Sequence, residues 1–166
     1  MRVEQFRWLA AVIAAYPGRR LVGRVRLQKT INLLQRRGLP TKYSYITYHY
    51  GPYSEGVQAD TNLLEHLGLI TETKGISMKE REYSTYEAIE DAFLPDISRF
   101  KSNIDIIANA DATVLELAAT FETFLDDGYA EATAWQMVKA KKPTKYSLSK
   151  QREAEKLLSS LSAKSN

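Results

Sequence analysis

Apolar residues recur at helical spacing from Val3 to Tyr16, where Phe6, Leu9, Ala10 and Ile13 share a face, and Pro17-Gly18 stops the run. The same period predicts a second helix from Gly23 to Arg37, with Leu27, Ile31 and Leu34 buried and Gly38 at its C-terminal end. Tyr43 to Tyr50 is dense in aromatic and β-branched residues and predicts a strand, broken by Gly51-Pro52. Ser54 then caps a third helix with Glu55 in its first turn; Val57, Leu63, Leu64 and Leu67 form its buried face, and Gly68 ends it. Leu69 to Thr73, a Lys74-Gly75 turn and Ile76 to Tyr83 predict a β-hairpin. Helix, helix, short strand, helix, hairpin is the order of a winged helix-turn-helix.

Beyond the hairpin the pattern becomes wholly helical. Ser84 with Glu87 reads as a capping box before a short face of Ile89 and Phe93, and Leu94-Pro95 interrupts. Asp96 caps a helix carrying Ile97, Phe100, Ile104 and Ile107. Thr113 with Glu116 forms a second capping box, ahead of Val114, Leu117, Ala118, Phe121, Phe124 and Leu125, and Gly128 closes that helix. Trp135 and Val138 anchor a short helix that stops at Pro143; Ala154, Leu157, Leu158 and Leu161 anchor a last one, with Ser162 to Asn166 expected to fray. The expected fold class is α+β and mostly helical. A winged helix-turn-helix over residues 1–86 is followed by a helical extension over 87–166, packed on it or merged with it into one domain.

Composition narrows the chemistry. The 166 residues contain no cysteine and two histidines, His49 and His66, which leaves no thiolate chemistry and no ready metal-ligand set. No glycine-rich phosphate loop and no nucleophile elbow occurs. The longest apolar run, Leu9 to Tyr16, is about half of a membrane span, and Met1 to Glu4 leads into it too briefly for a signal peptide. The expectation is a cytoplasmic, non-catalytic protein without cofactor or metal. Charge is unevenly spread: residues 1–53 hold ten Lys and Arg against one acid, Glu4, out of chain totals of 23 and 20. Either the basic end faces an acidic partner, or it docks on the acidic remainder of its own chain.

Several positions carry candidate function. Five tyrosines, Tyr43, Tyr45, Tyr48, Tyr50 and Tyr53, crowd into eleven residues. Strand alternation sends Tyr43 and Tyr45 one way and Tyr48 and Tyr50 the other, so at least two phenols are expected in solvent. Opposite its apolar stripe, the second helix carries Gln28, Lys29, Asn32 and Arg36. Lys29, Arg36, Tyr48, Tyr50 and Tyr53 are therefore the expected partner-binding residues. Arg19, Arg20 and Arg24, with Gln58 and Asn62 on the third helix, are the expected contacts if the partner is nucleic acid. That helix carries Glu55 and Glu65 but no lysine or arginine, which disfavours ordinary major-groove reading. Two positions are assigned structural roles: Ser54 as helix cap, and Asp60, which falls between Leu64 and Leu67 and needs a tyrosine hydroxyl, a basic side chain or a backbone amide beside it.

Arg26-Leu27-Gln28-Lys29-Thr30, then Tyr48-His49-Tyr50-Gly51-Pro52-Tyr53-Ser54, then Asp60 and Leu67-Gly68-Leu69-Ile70 resemble the YwgA-type family. They are also similar to the related Panacea (SocA-like) antitoxin domain. The resemblance spans roughly residues 20–75; Glu116 to Thr120 and Lys139 to Pro143 match the YwgA-type C-terminal half more loosely. It implies an accessory binding role, antitoxin-like or regulatory, exercised on another protein such as a toxin, and names no partner. A nucleic-acid-binding transcriptional regulator is the alternative expectation.

Overall fold

The computed structural model describes residues 3–48, 51–89 and 93–161. Helix α1 (Gln5–Ala15) buries Leu9 to Ile13 and ends where Pro17 and Gly18, at φ 68°, turn the chain through a short 3-10 segment. Strand β1 (Arg20–Val22) follows, then α2 (Arg24–Arg36). Strands β2 (Ile46–Tyr48) and β3 (Gly51–Tyr53) form a two-stranded antiparallel sheet that leads into α3 (Glu55–His66). Strands β4 (Ile70–Ile76) and β5 (Glu82–Ala88) pair along their length, and β1 adds to the far side of β5, giving the antiparallel order β1-β5-β4. The remainder is helical: α4 (Lys101–Ala108), α5 (Ala112–Asp126), α6 (Glu131–Lys141) and α7 (Leu148–Ser160).

One buried cluster runs through the whole molecule, from Leu9 in α1 to Leu161 after α7. Its centre is α5, buried at every position from Val114 to Phe121, which packs on α2, β3, α6 and α7. Phe121 stacks on Trp135 at 4.2 Å between ring centres and so fastens α6 to α5. Among the described residues no helix is long and apolar enough to cross a membrane.

Several expectations need correction. Strand β1 was not foreseen. The strand expected over Tyr43 to Tyr50 begins only at Ile46, and Gly51-Pro52 opens β3 rather than breaking the sheet. Lys74 and Gly75 are not a turn: they lie inside β4 opposite Ser84 and Tyr83, and the reversal falls at Ser77 to Arg81. The Tyr83 ring covers the glycine across the ladder, so a Cβ there would lie 2.6 Å from it. Ser84 and Glu87 belong to β5, not to a capping box, because both are paired in the sheet. The short helical face expected from Ile89 to Phe93 falls on residues 90–92, which lie outside the described residues; Ile89 follows β5 and Phe93 sits exposed in a turn. The cap of α5 is Asp111, whose carboxylate accepts from Thr113 N (2.9 Å) and Val114 N (3.1 Å), which releases Glu116 for a buried role. On α3, Val57 and Leu64 are buried as expected, but Leu63 and Leu67 are 38% and 51% exposed.

Candidate binding site

The two halves of the tyrosine-rich motif are joined by side chains of α2. The Gln28 amide donates to Ser54 O (3.0 Å) and accepts from Ser54 N (2.9 Å), completing both backbone bonds of that residue as a neighbouring strand would. Lys29 Nζ donates to Pro52 O at 2.7 Å. Gly51 adopts φ +87°, and a Cβ there would overlap the Thr120 hydroxyl of α5, so only glycine fits this close approach. Ser54 caps α3 by accepting from Val57 N at 3.3 Å, as its position predicts. β3 is thus held between α2 and α5, while β2 lies outermost and exposed at every residue.

The expected partner-facing side of α2 is buried. Lys29 is 1% exposed, Gln28 and Asn32 scarcely more, because the hairpin and α5 lie across them. Burial pulls the Lys29 ammonium down to about 8; Glu116 opposes that shift, and Lys142 and Lys145 add to it. Glu116 is itself buried and meets Lys145 at 2.8 Å and Lys142 at 3.5 Å. Arg36 is tied to Asp126, Glu122 O (3.1 Å) and Thr123 Oγ1 (3.3 Å), and Arg37 makes a two-pronged bond to Glu122 at 2.8 and 2.9 Å. Lys29 is therefore a clamp inside the molecule, and Arg36, half-buried, ties α2 to the end of α5.

The charge split resolves along the same lines. Arg20 faces Glu87 at 3.7 Å and Arg24 meets Glu72 at 3.0 Å. Arg26 donates to Ile107 O and Ala110 O at the end of α4. Of the two readings of the basic first segment, the geometry bears out docking on later parts of the same chain. Arg19, Arg20 and Arg24 remain exposed at one edge, around β1. Gln58 is half-buried and donates to Asn62 (3.1 Å), which is exposed.

A cleft of about 450 Å³ opens between α2, the hairpin and the start of α3. Val25, Gln28 and Lys29 line its α2 side, Tyr48 and Tyr53 the hairpin side, and Glu55 and Gln58 the α3 side, with Arg24 at the rim. The Tyr48 and Tyr53 rings stand edge to face, 5.5 Å apart and 81° inclined. Tyr43 does not line this cleft; it donates to Asp60 Oδ2 at 2.6 Å and so supplies the polar partner that Asp60 needs. Burial and the Asp60 carboxylate both push the Tyr43 phenol well above its usual range. Tyr50 and His49 lie outside the described residues. Among the described residues, no three His, Asp or Glu side chains gather as metal ligands.

Sequence reasoning missed Gln28 as a clamp, together with Glu116, Thr120 and Glu122, whose roles depend on partners distant in the chain. Compared with models of known families, with curated proteins and with solved structures, the chain matches none.

Proposed function

We propose that this protein is a non-catalytic winged-helix binding protein, antitoxin-like or regulatory, that acts in the cytoplasm by contact with another protein. The observation that carries the reading is the surface of α3. A winged helix would turn this helix toward DNA, yet it bears Glu55, Asp60 and Glu65, no lysine or arginine, and the exposed Leu63 and Leu67. Carboxylates repel phosphate, and exposed leucines favour an apolar partner surface. The winged-helix assignment is supported by the order helix, strand, helix, helix, strand, strand, interrupted by the β2–β3 hairpin, with the first strand against the last. Likeness to the YwgA-type and Panacea domains is supported by the Gln28 and Lys29 bonds, a physical reason for the two motifs to occur together. The absence of catalysis is supported by the engagement of Asp60 with Tyr43 and of Lys29 with a backbone carbonyl.

The alternative, a nucleic-acid-binding regulator, is favoured by one observation: Arg19, Arg20 and Arg24 are exposed at one edge. A DNA titration at several salt concentrations, repeated with Arg19→Glu and Arg20→Glu together, separates the two. A grip on about five phosphates would make log K fall against log salt with a slope near −4.5. The expected result is weak, sequence-independent binding. Sub-micromolar, sequence-selective binding at physiological salt, lost in the double variant, would overturn the protein-binding reading.

A further inference from the structure

One face of the β2–β3 hairpin carries Ile46 and Tyr48, both about half in solvent, and the half-buried Tyr53. The register pairs Ile46 with Tyr53 and Tyr48 with Gly51, so these three side chains project together. Two cavities meet beneath them: the cleft of about 450 Å³, and one of about 310 Å³ reaching along Ile46 toward Lys42. Tyr53 and Glu55 line both. The cleft's cations are engaged within the chain, Arg24 by Glu72 and Ser84 and Lys29 by Pro52 O. Glu55, exposed in the first turn of α3, forms no ion pair among the described residues. A corner of two tyrosine rings beside an unmatched carboxylate complements a planar cation, since a guanidinium stacks on an aromatic face and bonds a carboxylate through two parallel N–H groups.

Resting on the protein-binding reading above, we infer that this face is the docking site for an arginine-bearing segment of the partner protein, with the guanidinium stacked on the exposed Tyr48 ring, beside Tyr53, and paired to Glu55. Ile46 and the exposed backbone of β2 then receive the residues flanking the arginine, an extended segment laid along the free edge of the hairpin.

The test is an NMR titration of the full chain with a capped pentapeptide holding arginine between two valines. The same peptide with citrulline, which keeps the shape and removes the charge, is the control. The expected result is a saturable shift of Glu55, Gln58 and the Tyr48 and Tyr53 rings, with the citrulline peptide weaker by about tenfold or more. Glu55→Gln should lower arginine-peptide affinity to the citrulline level, and Tyr48→Ala should weaken both peptides while leaving the remaining spectrum unchanged. Equal affinity of the two peptides, shifts confined to another surface, or no saturation by about 5 mM peptide would overturn the inference. Tetramethylammonium binding as tightly as the peptide would also overturn it and mark a small-molecule site. Any of these failures leaves the protein-binding reading standing, whereas a selective DNA complex in the salt titration removes both.

Discussion

Helix α2 buries Gln28, Lys29 and Asn32, whereas α3, the next helix, leaves Leu63 and Leu67 in solvent. Both helices show an apolar stripe at helical spacing, and in both the stripe alone misstates what faces inward. The difference lies in what each polar or apolar group meets. On α2 the buried ends of Gln28 and Lys29 have partners supplied by another element, Ser54 and Pro52, and Asn32 accepts from Arg36 of the same helix. Burial of a polar group is tolerated when its hydrogen bonds are replaced, so this face became a set of clamps. On α3 no element among the described residues covers the outer leucines, and they stay in solvent.

Breaking the clamp side should have the largest effect. Gln28→Ala strands both the amide and the carbonyl of Ser54, and at about 1–3 kcal/mol for each unsatisfied buried group the expected loss is about 2–4 kcal/mol in a urea melt. A midpoint near that of the parent would show that water replaces the amide and that the hairpin does not depend on it.

The second effect is a pH dependence. The charged form of Lys29 is disfavoured in the folded chain, where it titrates near 8 against a usual 10.5. Its protonation therefore costs stability below pH 8, and that cost is relieved as pH rises toward 10.5. The Tyr43 and Tyr45 phenols, pushed up by burial, act in the opposite direction above pH 10, so the window to read is pH 8 to 10. Burial holds the Lys142 ammonium down as well and adds to the rise. Stability should rise there by at least about 2 kcal/mol, and Lys29→Met should diminish the rise. A parent whose stability is already flat across this window would place the ammonium in contact with water.

Smaller still is the loss on removing the Tyr43 partner. Asp60→Ala should cost about 1–2 kcal/mol and Asp60→Asn less, because an amide oxygen still accepts the phenol hydrogen bond. Equal, unchanged midpoints would sink that account. At the other end of the comparison, Leu63→Ser with Leu67→Ser should change stability by no more than about 0.5 kcal/mol each. The same pair should abolish partner capture from nuclease-treated lysate; retained capture would move the interface off α3.

Much of the fold was legible in the chain because the apolar period is strong in α1, α2, α3 and α5. Short elements escaped. β1 has three residues between Gly18 and Gly23, too few to show alternation, and is recognisable only by its pairing with β5. Local signals misled where tertiary pairing outweighed them: Lys74-Gly75 has turn chemistry, but the Tyr83 ring covers the glycine inside a strand, and Ser84 and Glu87 have cap spacing inside β5. The site was half legible. Ser54 as cap and the need of Asp60 for a polar partner follow from helix geometry; that the partner is Tyr43 comes from the fold. The burial of Lys29 and the pairing of Arg36 do not follow from helix geometry, since nothing near them in sequence announces Glu116, Glu122 and Asp126.

The contact of Gly51 with Thr120 bears on the order in which the chain can fold during synthesis. The first 53 residues leave the ribosome carrying ten cations and one acid. Glu122 and Asp126, which bind Arg37 and Arg36, and the α5 floor beneath the hairpin emerge only later. A two-stranded hairpin is marginal by itself in water. The motif must therefore wait, its arginines solvated and its tyrosines uncovered, until α5 has been made. In that interval the nascent chain is a basic, aromatic-rich segment, with the greatest exposure to aggregation and to chaperones that it will have.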